Sequence, residues 1–193
     1  MKKLLTIACI VIAGYSAASA QFVAGEQYLT LSGGYAFGSL KAGGKSIDGG
    51  GVNLSFDDRN FGSKPVSLAI TFGYAQLEEE PDSVGLAQRT VSTWPLGVGA
   101  KAWLGESKVQ GYVGTLLTVY FSSLKSSTEA TSESYTVATK SGWGLAVPAG
   151  VALNISERAF LRVGYELNWL WSNEFVESSL VHMFVAGVGL QIK

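Results

Sequence analysis

The sequence predicts an all-β chain: an eight-stranded antiparallel up-and-down barrel that crosses a membrane with its strands. Three observations lead there. Apolar and less apolar residues alternate with period two over most of the chain. The connections between these segments alternate between short and long. Only 15% of the 193 residues are charged, against about 25% in an average soluble domain. The formal charge of -1 provides no basic footprint for nucleic acid.

Residues 1–20 read as a signal peptide, with Lys2 and Lys3 ahead of an apolar stretch from Leu4 to Ala13 and a small-residue cleavage site at Ala18-Ser19-Ala20. Residues 21–193 then form one domain. The single cysteine, Cys9, falls in the removed segment, so a disulfide or a cysteine zinc site is not available to the mature chain.

Candidate strands lie near 26–37, 49–57, 65–77, 91–103, 109–121, 137–153, 159–171 and 179–192. The clearest is 159–171, where Leu161, Val163, Tyr165, Leu167, Trp169 and Trp171 share one face and Arg162, Gly164, Glu166 and Asn168 the other. Most of these segments have ten or more residues, matching the ~9–11 that a tilted strand needs to cross a bilayer, whereas no apolar run reaches the ~18 of a spanning helix. Short connections at 105–108 and 154–158 and an intermediate one at 58–64 interleave with long ones at 38–48, 78–90, 122–136 and 172–178. All long loops therefore share one rim. Pro95 and Pro148 fall inside strands, where each removes a ladder donor, so bulges are expected there.

Alternation alone leaves open a soluble sandwich or lipocalin-like barrel with an aromatic core, so the composition of the less apolar face decides. That face holds Thr30, Ser32, Asn53, Ser67, Thr71, Gly97, Gly114, Thr118, Gly164 and Gly187. A surface in water would carry many Lys and Glu; small neutral residues suit the narrow lumen of an eight-stranded barrel. On the opposite face Tyr35, Tyr74, Trp94, Trp143, Trp169 and Trp171 collect toward the long-loop rim as an interfacial girdle. This assignment makes Val163→Arg costly and Ser67→Ala mild.

Signal peptide, eight alternating strands, asymmetric loops and the terminal strand together resemble the small outer-membrane β-barrel family, which includes the transmembrane domain of outer membrane protein A and the X and W proteins. Gly187, Leu190 and Ile192 match the Gly-x-x-apolar-x-apolar signal that the family presents to the barrel-assembly machinery. The family usually ends in an aromatic residue, and this chain ends Ile192-Lys193. Gln21 after the cleavage site is similar to exported proteins of Bacteroidota.

By parity Lys101, Arg162 and Glu166 point into the lumen, with Glu26 joining them near the turn rim. They form either a salt-bridged polar plug or a set of charges meeting trapped water. His182, the one histidine, falls on the lipid face near the long-loop rim. An outer-membrane lipid A deacylase uses such a His with a Ser two residues later, and here that position is Phe184. An interfacial structural histidine is the expectation, and no catalytic residue is assigned. Glu78, Glu79, Glu80 and Asp82 on a long loop, and Asp57-Asp58 beside a short turn, read as solvated charge, with divalent cations bridging loop to lipopolysaccharide as the alternative. Gly97-Val98-Gly99 lacks the third glycine and following helix of a dinucleotide loop. No cofactor or metal site is expected.

The expected protein is a monomer of the outer membrane with a packed lumen and outward loops, acting in a structural or surface-interaction role. Its partners would be membrane lipid and lipopolysaccharide, the assembly machinery during biogenesis, and an extracellular ligand or host surface. The alternatives are a narrow conduit for small or apolar solutes and, less favoured, a lipid-modifying enzyme.

Overall fold

The computed structural model describes residues 27–39, 46–58, 66–79, 88–105, 108–127, 134–156, 158–171 and 180–192. They form eight strands: β1 (Gln27–Ser39), β2 (Ser46–Asp58), β3 (Val66–Glu79), β4 (Gln88–Leu104), β5 (Val109–Ser127), β6 (Ser134–Ser156), β7 (Ala159–Leu170) and β8 (Leu180–Gln191). Each pairs antiparallel with its neighbour in sequence, and β8 closes on β1 through Tyr28↔Gln191 to Phe37↔His182. Closure removes every free sheet edge from the paired girth. Gly105 takes a φ of 92° at the end of β4, a left-handed conformation that favours glycine.

Alternation becomes burial. Leu31, Val52, Ile70, Val98, Val119, Val163 and Leu190 point outward and are exposed, while Thr30, Ser32, Asn53, Ser55, Ser67, Thr71 and Thr118 point inward and are buried. Exposed apolar side chains recur on all eight strands, an exterior that hydrocarbon solvates and water does not.

The rim strands run further than alternation indicates. β5 continues to Ser127 and β6 begins at Ser134, so paired backbone takes up most of the Ser/Thr-rich stretch expected as a loop. β4 pairs with the same stretch of β5 up to Gln88↔Ser127, so the extension is three-stranded; outside a bilayer core such a ladder needs no apolar face, and threonine favours strands. Glu78 and Glu79 likewise belong to β3.

The prolines do not produce the expected bulges. Around Pro95 the β3–β4 ladder skips the partners of Gly73 and Tyr74, yet Phe72↔Leu96 and Ala75↔Thr93 keep the same register. Around Pro148 the β5–β6 ladder resumes in register between Val113↔Ala149 and Leu116↔Ala146. Each proline stays aligned on its other side, with Tyr120 and Glu166 respectively. Glycine makes this feasible at Pro95, because a Cβ on Gly73 would lie 3.1 Å from the Pro95 ring. The register shifts occur instead at Leu124/Lys125 and at Asn154/Ser156, near the two ends of β6.

Three apolar clusters fill the interior. Tyr28, Trp103, Tyr112, Ala152 and Phe160 occupy the turn half. Ala69, Leu116 and Ala146 sit at mid-height. Ile47, Leu77, Val91, Tyr120, Leu170, Met183 and their neighbours occupy the loop half.

Candidate functional site: a plugged lumen and an outer cavity

Lys101 descends from β4 into the turn half, 2% exposed, with its stem packed beside Gly114, where a Cβ would lie 2.7 Å from the lysine Cγ. Its ammonium lies 2.9 Å from Asp57 Oδ1 and donates to Asp57 Oδ2 at 3.0 Å and Ser55 Oγ at 2.6 Å. Ser55 donates to Asp57 Oδ2 at 2.9 Å, Ser67 donates to its Oδ1 at 3.4 Å, and Trp103 Nε1–H donates to Ser67 Oγ at 3.1 Å. A buried charge pair is tolerable only when its remaining donors and acceptors are engaged in this way.

Asp57 therefore corrects the sequence reading, which left it solvated beside a turn. It is wholly buried. Parity on β2 carries the signal, since Asn53, Ser55 and Asp57 share the inward face. Asp58, the outward neighbour, is half-buried and accepts from Gln27 Nε2 at 3.2 Å. Ser67 is more engaged than its face suggests: its hydroxyl joins aspartate to indole, so its loss is expected to cost more than the mild effect read from the sequence.

Arg162 is buried, donates to Ser32 Oγ at 2.6 Å and lies 5.8 Å from the centroid of the Tyr112 ring. Glu166 is half-buried, lines the cavity of the loop half and hydrogen-bonds with Asn168. Glu26 lies outside the described residues. Lys101, Arg162 and Glu166 act on one another electrostatically across the lumen, but the ion pair of Lys101 is with Asp57, a partner that the sequence reading missed.

Aromatic rings close the lumen beside these charges. Trp103 packs against Tyr112 at 5.5 Å and Phe160 at 6.1 Å, and Phe160 against Tyr28 at 5.6 Å. Glycines seat them: a Cβ on Gly150 would come within 2.7 Å of the Tyr112 hydroxyl, and one on Gly189 would strike the Phe160 ring. Trp103 shares the parity of Lys101, and Tyr112 and Phe160 that of Gly114 and Arg162, so the inward rings were also legible by parity.

The loop half is looser. A cavity of about 60 Å³ lies between Asn53, Ala75, Pro95, Tyr120, Glu166 and Met183, and its wall includes Val52 and Tyr74, the outward members of their strands, beside the ladder gap at Pro95. Tyr120 donates to Asn168 Oδ1 at 2.9 Å and Ser122 to Thr93 Oγ1 at 3.0 Å on this wall.

The outward aromatics gather in three groups on the loop side. Trp94 stacks on Phe72 at 5.8 Å and meets Tyr74 at 4.5 Å. Trp171 lies between Trp143 at 4.7 Å and Trp169 at 6.1 Å. Tyr35 donates to Asp48 Oδ2 at 2.6 Å, next to Phe37, which stacks on His182 at 4.9 Å. The His182 imidazole also hydrogen-bonds the Tyr165 hydroxyl, and Phe184 packs on Tyr165 at 5.3 Å. Among the acidic residues of the third connection, Glu79 points inward, buried, with Arg89 at 3.8 Å; Glu80 and Asp82 lie outside the described residues. In the terminal strand Gly187 faces inward against Ser32, while Leu190 and Ile192 are exposed outward.

A closed eight-stranded barrel with an apolar exterior, an aromatic loop rim and a filled interior has the fold of the small outer-membrane barrels. Solved structures agree. Neisserial surface protein A is 18% identical with a TM-score of 0.62, covering 85% of this chain and 96% of that one. A major outer membrane protein from Thermus thermophilus is 10% identical with a TM-score of 0.60, covering 87% and 100%. Ail, the attachment invasion locus protein of Yersinia pestis, is 18% identical with a TM-score of 0.52, covering 87% and 100%. No protein-family model and no curated relative matches the chain in sequence.

Proposed function

We propose that the protein resides in the outer membrane as a sealed, non-enzymatic barrel, a rigid mount whose outward loops contact lipopolysaccharide and an extracellular or host surface. The observation that carries this reading is the turn half of the lumen, where Trp103, Tyr112 and Phe160 close around the Lys101–Asp57 pair. A lumen filled in this way stiffens the barrel and leaves chemistry to the loops. The aromatic groups are its girdle, and Gly187, Leu190 and Ile192 its assembly signal. Ail, with the same fold, is by name an attachment protein. Cells producing the protein, compared with cells lacking it, should be retained better on epithelial monolayers, and shortening residues 80–87 and 128–133 should abolish the gain. Equal retention of all strains would overturn the reading.

The outer cavity favours a second reading, a narrow conduit for small apolar solutes. With the turn half plugged, the route runs from the loop rim through the cavity and out sideways beside Pro95, where the β3–β4 ladder is broken. Uptake of an apolar dye into proteoliposomes, without ionic conductance, would support it.

A further inference from the structure

The outer cavity is chemically one-sided. Leu77, Val91, Pro95 and Met183 give it apolar walls; among the described residues Glu166 is its one carboxylate, and no cationic side chain lines it. The interior cations make their contacts elsewhere, Lys101 with Asp57 and Arg162 through its Nη2 with Ser32, while the Arg162 Nε has no hydrogen-bond partner among the described residues. Asn53 also lines the cavity, is 7% exposed, and its Oδ1 has no hydrogen-bond partner among the described residues. The other amide of the wall, Asn168, already accepts from Tyr120. Asn168 also hydrogen-bonds the Glu166 carboxylate, and Arg162 and Lys101 act on it only from a distance, so what the cup lacks is a cation in contact with Glu166 and a donor to Asn53 Oδ1, an unsatisfied buried acceptor being costly.

We propose that the cavity is a binding site for a small organic ammonium ion with a short aliphatic body. The ammonium would donate to the Glu166 carboxylate and Asn53 Oδ1, and the body would lie on Leu77, Val91, Pro95 and Met183. Volume sets the size: at about 10–15 Å³ per water-sized occupant, a cavity of about 60 Å³ takes about four to six non-hydrogen atoms, the size of n-butylammonium. Sugars, nucleotides and aromatic amines are too large. The site requires only the folded cavity, so it stands apart from whether the loops bind a surface or the barrel passes solute.

Met183 lines this cavity and is the only methionine besides Met1, so its ε-methyl is a unique NMR reporter. The folded protein, ¹³C-labelled at that methyl in detergent micelles, would be titrated with n-butylammonium chloride, n-butanol and sodium butyrate. The expected result is a saturable shift with butylammonium, weaker by about tenfold or more for butanol and butyrate, and weaker by about tenfold in Glu166→Gln. Ala75→Leu, which fills the cup without touching charge, should abolish the shift. No saturable shift where a Kd of about 1 mM would be visible, equal affinity for butanol, or full affinity in Glu166→Gln would overturn the proposal. Should Glu166→Gln not fold, as read by heat-modifiable gel migration, Asn53→Leu and Ala75→Leu decide, and unchanged affinity in both overturns it equally.

Discussion

Asp57 shows how much one buried group depends on its setting. Its carboxylate accepts from Lys101, Ser55 and Ser67 in the sealed turn half. Asp57→Ala strands an ammonium without a counter-charge and should cost about 3–5 kcal/mol, seen as a lower urea midpoint for the barrel in micelles. The paired change Asp57→Leu with Lys101→Met should return most of that loss, since an apolar pair of similar volume needs no desolvation repaid. Ser67→Ala should cost about 1–3 kcal/mol, because it removes the hydroxyl that accepts from Trp103 Nε1–H and donates to the buried Asp57. That value departs from the mild effect that a small residue on a polar strand face suggests. Asp57 itself was legible from its parity with Asn53 and Ser55; its partnership with Lys101, 44 residues away, was not, because barrel shear and not spacing decides which inward residues meet.

Among the elements, the strands carry two opposed surfaces, and substitutions should respond by face. Val163, 56% exposed on the outer side of β7, should cost about 2–4 kcal/mol as Arg if it meets the middle of the bilayer. Val163→Leu should be near neutral in the same folding assay, and equal effects would contradict the orientation. Gly144 tests close approach: a Cβ there would strike the Trp169 carbonyl oxygen, so Gly144→Val should push β6 from β7 at a cost of about 1–3 kcal/mol. Strand existence and facing were readable because period two is imposed by backbone geometry alone. The response at Pro95 was not, since a ring can be absorbed by a bulge or by a glycine across the ladder, and Gly73 supplies the latter.

For the molecule as a whole, closure and filling decide what can pass. The intact protein should be electrically silent in planar bilayers. Trp103→Ala combined with Phe160→Ala should give discrete conductance steps, because these rings and their neighbours block the turn half. Conductance by the unmodified protein would show that the turn half opens. His182, stacked on Phe37 and bonded to Tyr165, is expected to act structurally: lipid A mass spectra should be identical for cells carrying the wild type, His182→Ala or no protein.

The amino-acid sequence by itself determined the strand count, the antiparallel order and the two faces, because each follows from local alternation; the division into long and short rims is less sharp than expected, since β2 and β3 are joined by 59–65 and β1 and β2 by only 40–45. Only the tertiary structure decided that Lys101 meets Asp57, that Glu166 lines a cavity, and that inward rings rest on glycines of other strands. Those contacts join residues across a closed cylinder, where stagger between strands sets the neighbours and no local pattern records it.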